Sequence, residues 1–162
     1  CDWSSDVCSS DLISGVTIRH GDGAINLVRG GTLSLTDSIV TGNTGGGILN
    51  HGGTLTLTNS AVTGNVSGVG AGIYSVISGL SRGKLPTVTL TGTTISDNLA
   101  TTLGGIGAGI YQDRGTLTLV GSTVRGNRAI GHGSSPSAGN GGGISSLNTN
   151  IVITQSTISD NY

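Results

Sequence analysis

The chain has 162 residues, of which 31 are Gly, 9 % are charged and 2 % are aromatic, with no Phe, Met or Glu. Such usage argues against ordinary helical and α/β enzymes, while 42 Leu, Ile and Val and a net charge of −1 argue against disorder. Seven scattered Lys and Arg, and no apolar run of about 18 residues, imply neither nucleic acid as a partner nor direct insertion into a membrane.

Residues 1–12, CDWSSDVCSSDL, hold both Cys, the single Trp and three of the eight Asp, and nothing later is like them. Asp2–Leu12 resembles the translation of a common short-read sequencing adapter, so residues 1–12 are read as non-native. Residues 13–162 are read as a repeat region truncated at both ends. That region sets seven basic residues against five Asp, a net +2, and contains no Cys, which leaves its redox compartment open.

A partial repeat runs from Ile13 to Ile18 and is followed by the relic Gly23–Ile25. The first full unit is Thr32–Asn43, TLSLTDSIVTGN, followed by GGGI at Gly45–Ile48. The second is Thr54–Asn65, TLTLTNSAVTGN, followed by AGI at Ala71–Ile73 and a thirteen-residue insertion, Tyr74–Pro86. Thr87–Asn98 (TVTLTGTTISDN) leads through Leu99–Ala108 to AGI at Ala108–Ile110. Thr116–Asn127 (TLTLVGSTVRGN) leads through Arg128–Asn140 to GGGI at Gly141–Ile144, and Asn150–Asn161 (NIVITQSTISDN) closes the series.

Alternation of Thr or Ser with Leu, Val or Ile is a period-2 signal, which predicts half-buried strands with Leu33 and Leu35 facing one way and Thr32, Ser34 and Thr36 the other. The repeat length varies from 22 residues (Leu35 to Leu57) to 34 (Leu119 to Ile153) while both motifs stay intact, so the extra length belongs to loops. No helical period fills the gaps. The predicted fold is all-β: a right-handed parallel β-helix, a pectin-lyase-like solenoid of about four full coils and two partial ones. Three strands are expected per turn, at TLTL, at the Val or Ile of VTGN, and at the GI of GGGI.

Columns of equivalent residues follow from stacking. Asn43, Asn65, Asn98, Asn127 and Asn161 are expected to form a structural ladder whose amides hydrogen-bond from coil to coil. Ser38, Ser60, Thr93, Ser122 and Ser156 form a column of corner hydroxyls, with no accompanying His column that would make them nucleophiles. Gly47, Gly72, Gly109 and Gly143 are expected either in a conformation or at a backbone approach that a Cβ would forbid.

With GG(G/A)I, then a strand, then (V/I)xxN, the region Ile13–Tyr162 resembles the repeats of the polymorphic outer membrane protein family and the wider class of bacterial right-handed β-helix repeat proteins. Val40, Val62, Ile95, Val124 and Ile158 stand where the narrow family's motif has Phe. The resemblance implies a secreted or surface-exposed passenger, structural or adhesive, whose parent is associated with the outer membrane. The same fold is shared with pectate lyases, so the alternative is a non-catalytic portion of a polysaccharide lyase or hydrolase whose active-site coils lie elsewhere.

Catalytic chemistry of that kind needs clustered carboxylates for calcium and a basic residue poised over the sugar. Here Asp22, Asp37, Asp97, Asp113 and Asp160 are dispersed, and Gly126 separates Asp97 from Asp160 by two coil spacings, about 10 Å. No catalytic residue, cofactor or metal site is therefore assigned. His20, His51 and His132 fall at different repeat positions and are read as solvated loop residues. The loops after the Asn lengthen along one edge, which makes Leu99–Ala108 and Arg128–Asn140 candidate contact segments. Tyr74 and Tyr111, aligned after the Ile, together with Arg82, Lys84, Arg128 and His132, are the candidate ligand-contact residues. A glycan or a host or cell-surface ligand is the expected partner, and the open end strands predict end-to-end self-association.

Overall fold

The structure is a computed structural model that describes residues 10–28, 30–77, 83–101, 105–131 and 141–162. Coil 1 holds β1 (Asp11–Ser14), β2 (Thr17–Arg19) and β3 (Ile25–Leu27); coil 2 holds β4 (Thr32–Thr36), β5 (Ile39–Thr41) and β6 (Ile48–His51). Coil 3 holds β7 (Thr54–Thr58), β8 (Ala61–Thr63), β9 (Val66–Ser67) and β10 (Ile73–Val76). Coil 4 holds β11 (Thr87–Thr91), β12 (Thr94–Ser96), β13 (Leu99–Ala100) and β14 (Ile110–Asp113). Coil 5 holds β15 (Thr116–Val120), β16 (Thr123–Arg125), β17 (Arg128–Ala129) and β18 (Ile144–Leu147), and coil 6 holds β19 (Asn150–Thr154) and β20 (Thr157–Ser159).

All strand pairings between coils are parallel. The first sheet runs β1-β4-β7-β11-β15-β19, the second β2-β5-β8-β12-β16-β20, and the third β18-β14-β10-β6-β3. Register follows the repeat alignment, with Ile13 opposite Leu35 and Ile18 opposite Val40. The first coil, partial in its sequence signature, still places a strand in each of the three sheets.

Period-2 alternation sets what is buried: β4 buries Leu33 and Leu35 while its Thr and Ser remain half-buried. One cluster of Leu, Ile and Val runs through the bore, including Leu57, Val62, Ile73, Leu90, Ile95, Ile110 and Leu119. Each such side chain contributes about 1.5–3 kcal/mol by leaving water. Because each coil buries these residues only against its neighbours, stability is close to a sum of neighbouring-coil terms.

The three-strand turn needs revision. Leu99–Ala100 and Arg128–Ala129, expected in loops, are strands of a fourth sheet, β17-β13-β9, in which Leu99–Ala100 pairs with β9 on one side and Arg128–Ala129 on the other. The longer segment after the Asn thus starts as an extension of the stack, and Val69 bridges Ile106 further along. Ala100, Ala108 and Ala129 form a separate small core beneath this flange, where small side chains let it lie close to the main body.

The glycine expectation resolves in favour of close approach. Gly47, Gly72, Gly109 and Gly143 do not have positive φ. A Cβ on Gly109 would sit 2.5 Å from the Gly143 carbonyl oxygen and 2.9 Å from Asn127 Nδ2. Left-handed backbone falls instead just before the two polar columns: Asp37, Asn59, Gly92, Gly121 and Gln155 precede the hydroxyls, and Gly42, Gly64, Asp97, Gly126 and Asp160 precede the Asn residues. Gly, Asn and Asp tolerate that conformation best. Asp97 and Asp160 thereby acquire a backbone reason for their position.

Candidate ligand-binding face

The corner between the second and third sheets is closed by side chains. Asn43 Nδ2 donates to Asn65 Oδ1 at 2.8 Å, Asn65 to Asn98 at 3.1 Å, Asn98 to Asn127 at 2.9 Å, and Asn127 to Asn161 at 2.9 Å. The backbone N–H of each of these four donors also points at the next Oδ1, at 3.0–3.1 Å. Each amide further donates to the preceding coil, as Asn98 Nδ2 does to the Val62 carbonyl at 3.0 Å. The hydroxyl column works in parallel: Ser122 Oγ accepts from the Thr93 N–H at 3.2 Å and donates to the Val120 carbonyl at 3.1 Å. These groups are committed to backbone, which removes the hydroxyls from nucleophilic chemistry.

Chemically distinctive side chains gather on the outer face of the third sheet. Tyr74 lies opposite Leu49 on one side and Tyr111 on the other. The two rings stack with centroids 5.5 Å apart and planes 14° from parallel. Strand alternation turns both outward, and the parallel register brings them into contact, an arrangement worth about 0.5–1.5 kcal/mol beyond burial. His51 meets Tyr74 edge-on, with ring centroids 6.4 Å apart. His51 is therefore not a solvated loop residue: it ends β6, and its Nδ1 is buried without a hydrogen-bond partner.

Asp113 ends β14 on the same outer face, with one carboxylate oxygen 3.7 Å from Arg114 Nε. Burial, then the charge of the Asp113 carboxylate and that of the neighbouring Tyr74 hydroxyl when it ionises, push the Tyr111 hydroxyl above the ordinary tyrosine pKa. Beneath the flange, Gly45, Leu49, Tyr74 and Ser67–Gly70 line a shallow, open notch of about 250 Å³. Its shape arises because coil 2 turns from Asn43 to Gly47 directly, whereas coil 3 carries β9 out over the step.

The candidate contact residues do not form one cluster. Tyr74 and Tyr111 stand together, but Lys84 donates to the Gly30 carbonyl at 3.4 Å on the corner between the third and first sheets. Arg128 begins β17 in the flange and lies over the Tyr162 ring, 5.5 Å from its centroid. Arg82 and His132 lie outside the described residues, as do parts of both long candidate segments. His51 and Asp113 escaped the sequence argument because their neighbours come from adjacent coils; their two-residue offset from Leu49 and Tyr111 was the available signal.

Among the described residues no three of His, Cys, Asp and Glu come together as they would to hold a metal ion. Among the described residues, likewise, no helix is long and apolar enough to cross a membrane. A comparison with curated proteins gives no match, and a comparison with solved structures gives none either. A family model described as a right-handed β-helix region matches residues 5–140. With that match spanning most of the coils described above, the chain belongs to the right-handed β-helix family.

Proposed function

We propose that the chain is a structural and adhesive shaft of a secreted or surface-exposed bacterial protein, displaying the outer face of the third sheet and its flange to a glycan or cell-surface ligand. The observation that carries this reading is the division of labour between faces. Polar groups at the Asn and Ser corners are spent on coil-to-coil bonds, while the only stacked aromatic pair among the described residues is directed outward beside a notch. Aromatic rings with hydroxyl and backbone groups nearby suit sugar rings, which offer apolar C–H faces and polar rims.

The shared fold leaves a polysaccharide-cleaving parent as the competing reading. A glycan array probed with the purified chain, followed by incubation of each bound polysaccharide and assay for new chain ends, separates the two. Binding without cleavage, reduced at least tenfold by Tyr74→Ala or Tyr111→Ala, is expected. Cleavage of a bound polysaccharide would overturn the shaft reading, and absence of binding both to any glycan and to intact cell surfaces would overturn the adhesive one.

A further inference from the structure

The notch beneath the flange is lined entirely by coils 2 and 3. Stacking spends one face of the Tyr74 ring on Tyr111, and the parallel register turns the other face toward coil 2, where Leu49 is the partner. Leu49 is therefore a floor and Tyr74 a wall. The flange folds down against that wall because Gly70 has no side chain: its φ is +55, and a Cβ there would sit 2.8 Å from Tyr74 Cα. The Gly70 N–H donates to the Ile106 carbonyl at 3.1 Å, which ties the overhang to coil 4. Ser67 adds a hydroxyl to the same rim.

No charged side chain lines the notch, but a carboxylate overlooks it from coil 1. Asp22 Oδ1 lies 3.2 Å from where a Cβ of Gly45, one of the lining residues, would stand. A second carboxylate, Asp113, ends β14 on the same outer face, where burial and its charge together keep the Tyr111 hydroxyl protonated to higher pH. Among the described residues the cations stand elsewhere. Lys84 is at the corner between the third and first sheets, Arg19 and Arg125 are in the second sheet, Arg128 is in the flange of coil 5, and Arg114 is drawn to Asp113. None of them offsets the charge of Asp22 above the notch.

We propose that the notch is a subsite for one pyranose ring that carries no anionic group, and that Asp22 sets this preference. The inference rests on the adhesive reading and narrows it from glycans in general to neutral ones. A neutral sugar lays its apolar C–H face on Tyr74 above Leu49 and turns its hydroxyls toward Ser67 and the flange backbone. The volume of about 250 Å³ is below the roughly 300–1,000 Å³ of sites for drug-sized ligands, so one ring enters and the rest of the glycan leaves by the open side. A uronate or sialate unit would instead bring a carboxylate onto an apolar floor with no cation to receive it. Asp22 at the rim would repel that carboxylate, and salt would screen the repulsion only in part.

Calorimetric titration of the full chain with neutral oligosaccharides of glucose, mannose and galactose, each paired with the same oligomer oxidised at C6 to the carboxylate, gives the test. At least one neutral member is expected to bind, with its oxidised partner at least tenfold weaker at low salt. Asp22→Asn should narrow that gap at least threefold by improving the oxidised partner, and Leu49→Ala should weaken the neutral one at least fivefold. Equal binding of the oxidised partner, a gap untouched by Asp22→Asn, or a neutral affinity indifferent to Leu49→Ala would overturn the inference and leave the adhesive reading standing. Should no member of the panel bind, the inference falls, and the wider array and intact cells decide the adhesive reading. If Leu49→Ala loses its β-sheet circular dichroism, magnetisation transfer from the Leu49 methyl groups of the unmodified chain to the C–H protons of the neutral sugar decides. Its presence supports the subsite, and its absence overturns it.

Discussion

Two corners of the same coil solve the same problem in different ways. Between the second and third sheets every rung is an Asn amide that bonds to the next coil and to backbone. Between the third and first sheets each coil has its own arrangement. Asn50 Oδ1 accepts from the Gly53 N–H at 2.8 Å while its amide donates to Ser75 Oγ; Gln112 donates to the Arg114 carbonyl at 2.8 Å; Thr149 donates to the Gln112 and Leu147 carbonyls. A periodic ladder requires a turn of constant length. Once the length varies, each turn must satisfy its buried backbone locally; the insertion expected over Tyr74–Pro86 is such a case, although Tyr74–Val76 belong to β10 and the added length begins only after Val76. The Asn corner keeps its period because the extra residues enter only after the Asn, where they become β9, β13 and β17.

The most damaging way to break the periodic corner is at its centre. Asn98→Ala leaves the Asn65 amide and N–H and the Val62 carbonyl without their partner in a fully buried site and should cost about 3 kcal/mol. A urea titration with unchanged slope would report it as a lowered midpoint; a loss under about 1 kcal/mol would mean that water replaces the rung. Next comes Gly109→Ala, whose new methyl meets the Gly143 carbonyl oxygen and the Asn127 amide. Displacing both should cost about 2 kcal/mol, read from the same titration.

On the variable side, Tyr111 sharpens the comparison through pH. Its pKa is raised in the folded protein, so the unfolded chain loses this proton first as pH climbs. The associated stability is complete below the ordinary tyrosine pKa and is lost as pH rises through the folded value. Ultraviolet titration should show a tyrosinate component that appears late, disappears in Tyr111→Phe and moves to lower pH in Asp113→Asn. The smallest effect is expected for Gly121→Asn. Gly121 has φ +56 with nothing within 4 Å of a new Cβ, and Asn59 already occupies the same left-handed column, so the change should stay within about 0.5 kcal/mol.

Much of this architecture was legible in the residues. The alternation in TLTLT marked which side chains enter the bore, and the recurrence of Asn five residues after a Ser or Thr marked two columns that the structure fills with hydrogen bonds. Alignment of Tyr74 with Tyr111 in sequence became a stacked pair. Less legible were the strands β13 and β17: Leu99–Ala100 and Arg128–Ala129 have no repeat signature of their own, and they extend because β9 and their neighbours offer an edge. His51 was misread for a related reason, since its environment is a ring contributed by the next coil.

The sequence by itself determined the period, the register and the identity of the buried stripe, because a two-residue alternation admits one inward set and the repeated Asn admits one alignment. Only the tertiary structure decided that the glycines before the Ile serve close approach while left-handed backbone lies elsewhere, and that the extended loops begin as a fourth sheet. Each of these depends on what an adjacent coil presents across a gap of about 4.8 Å, and that is a property of stacking rather than of any one segment.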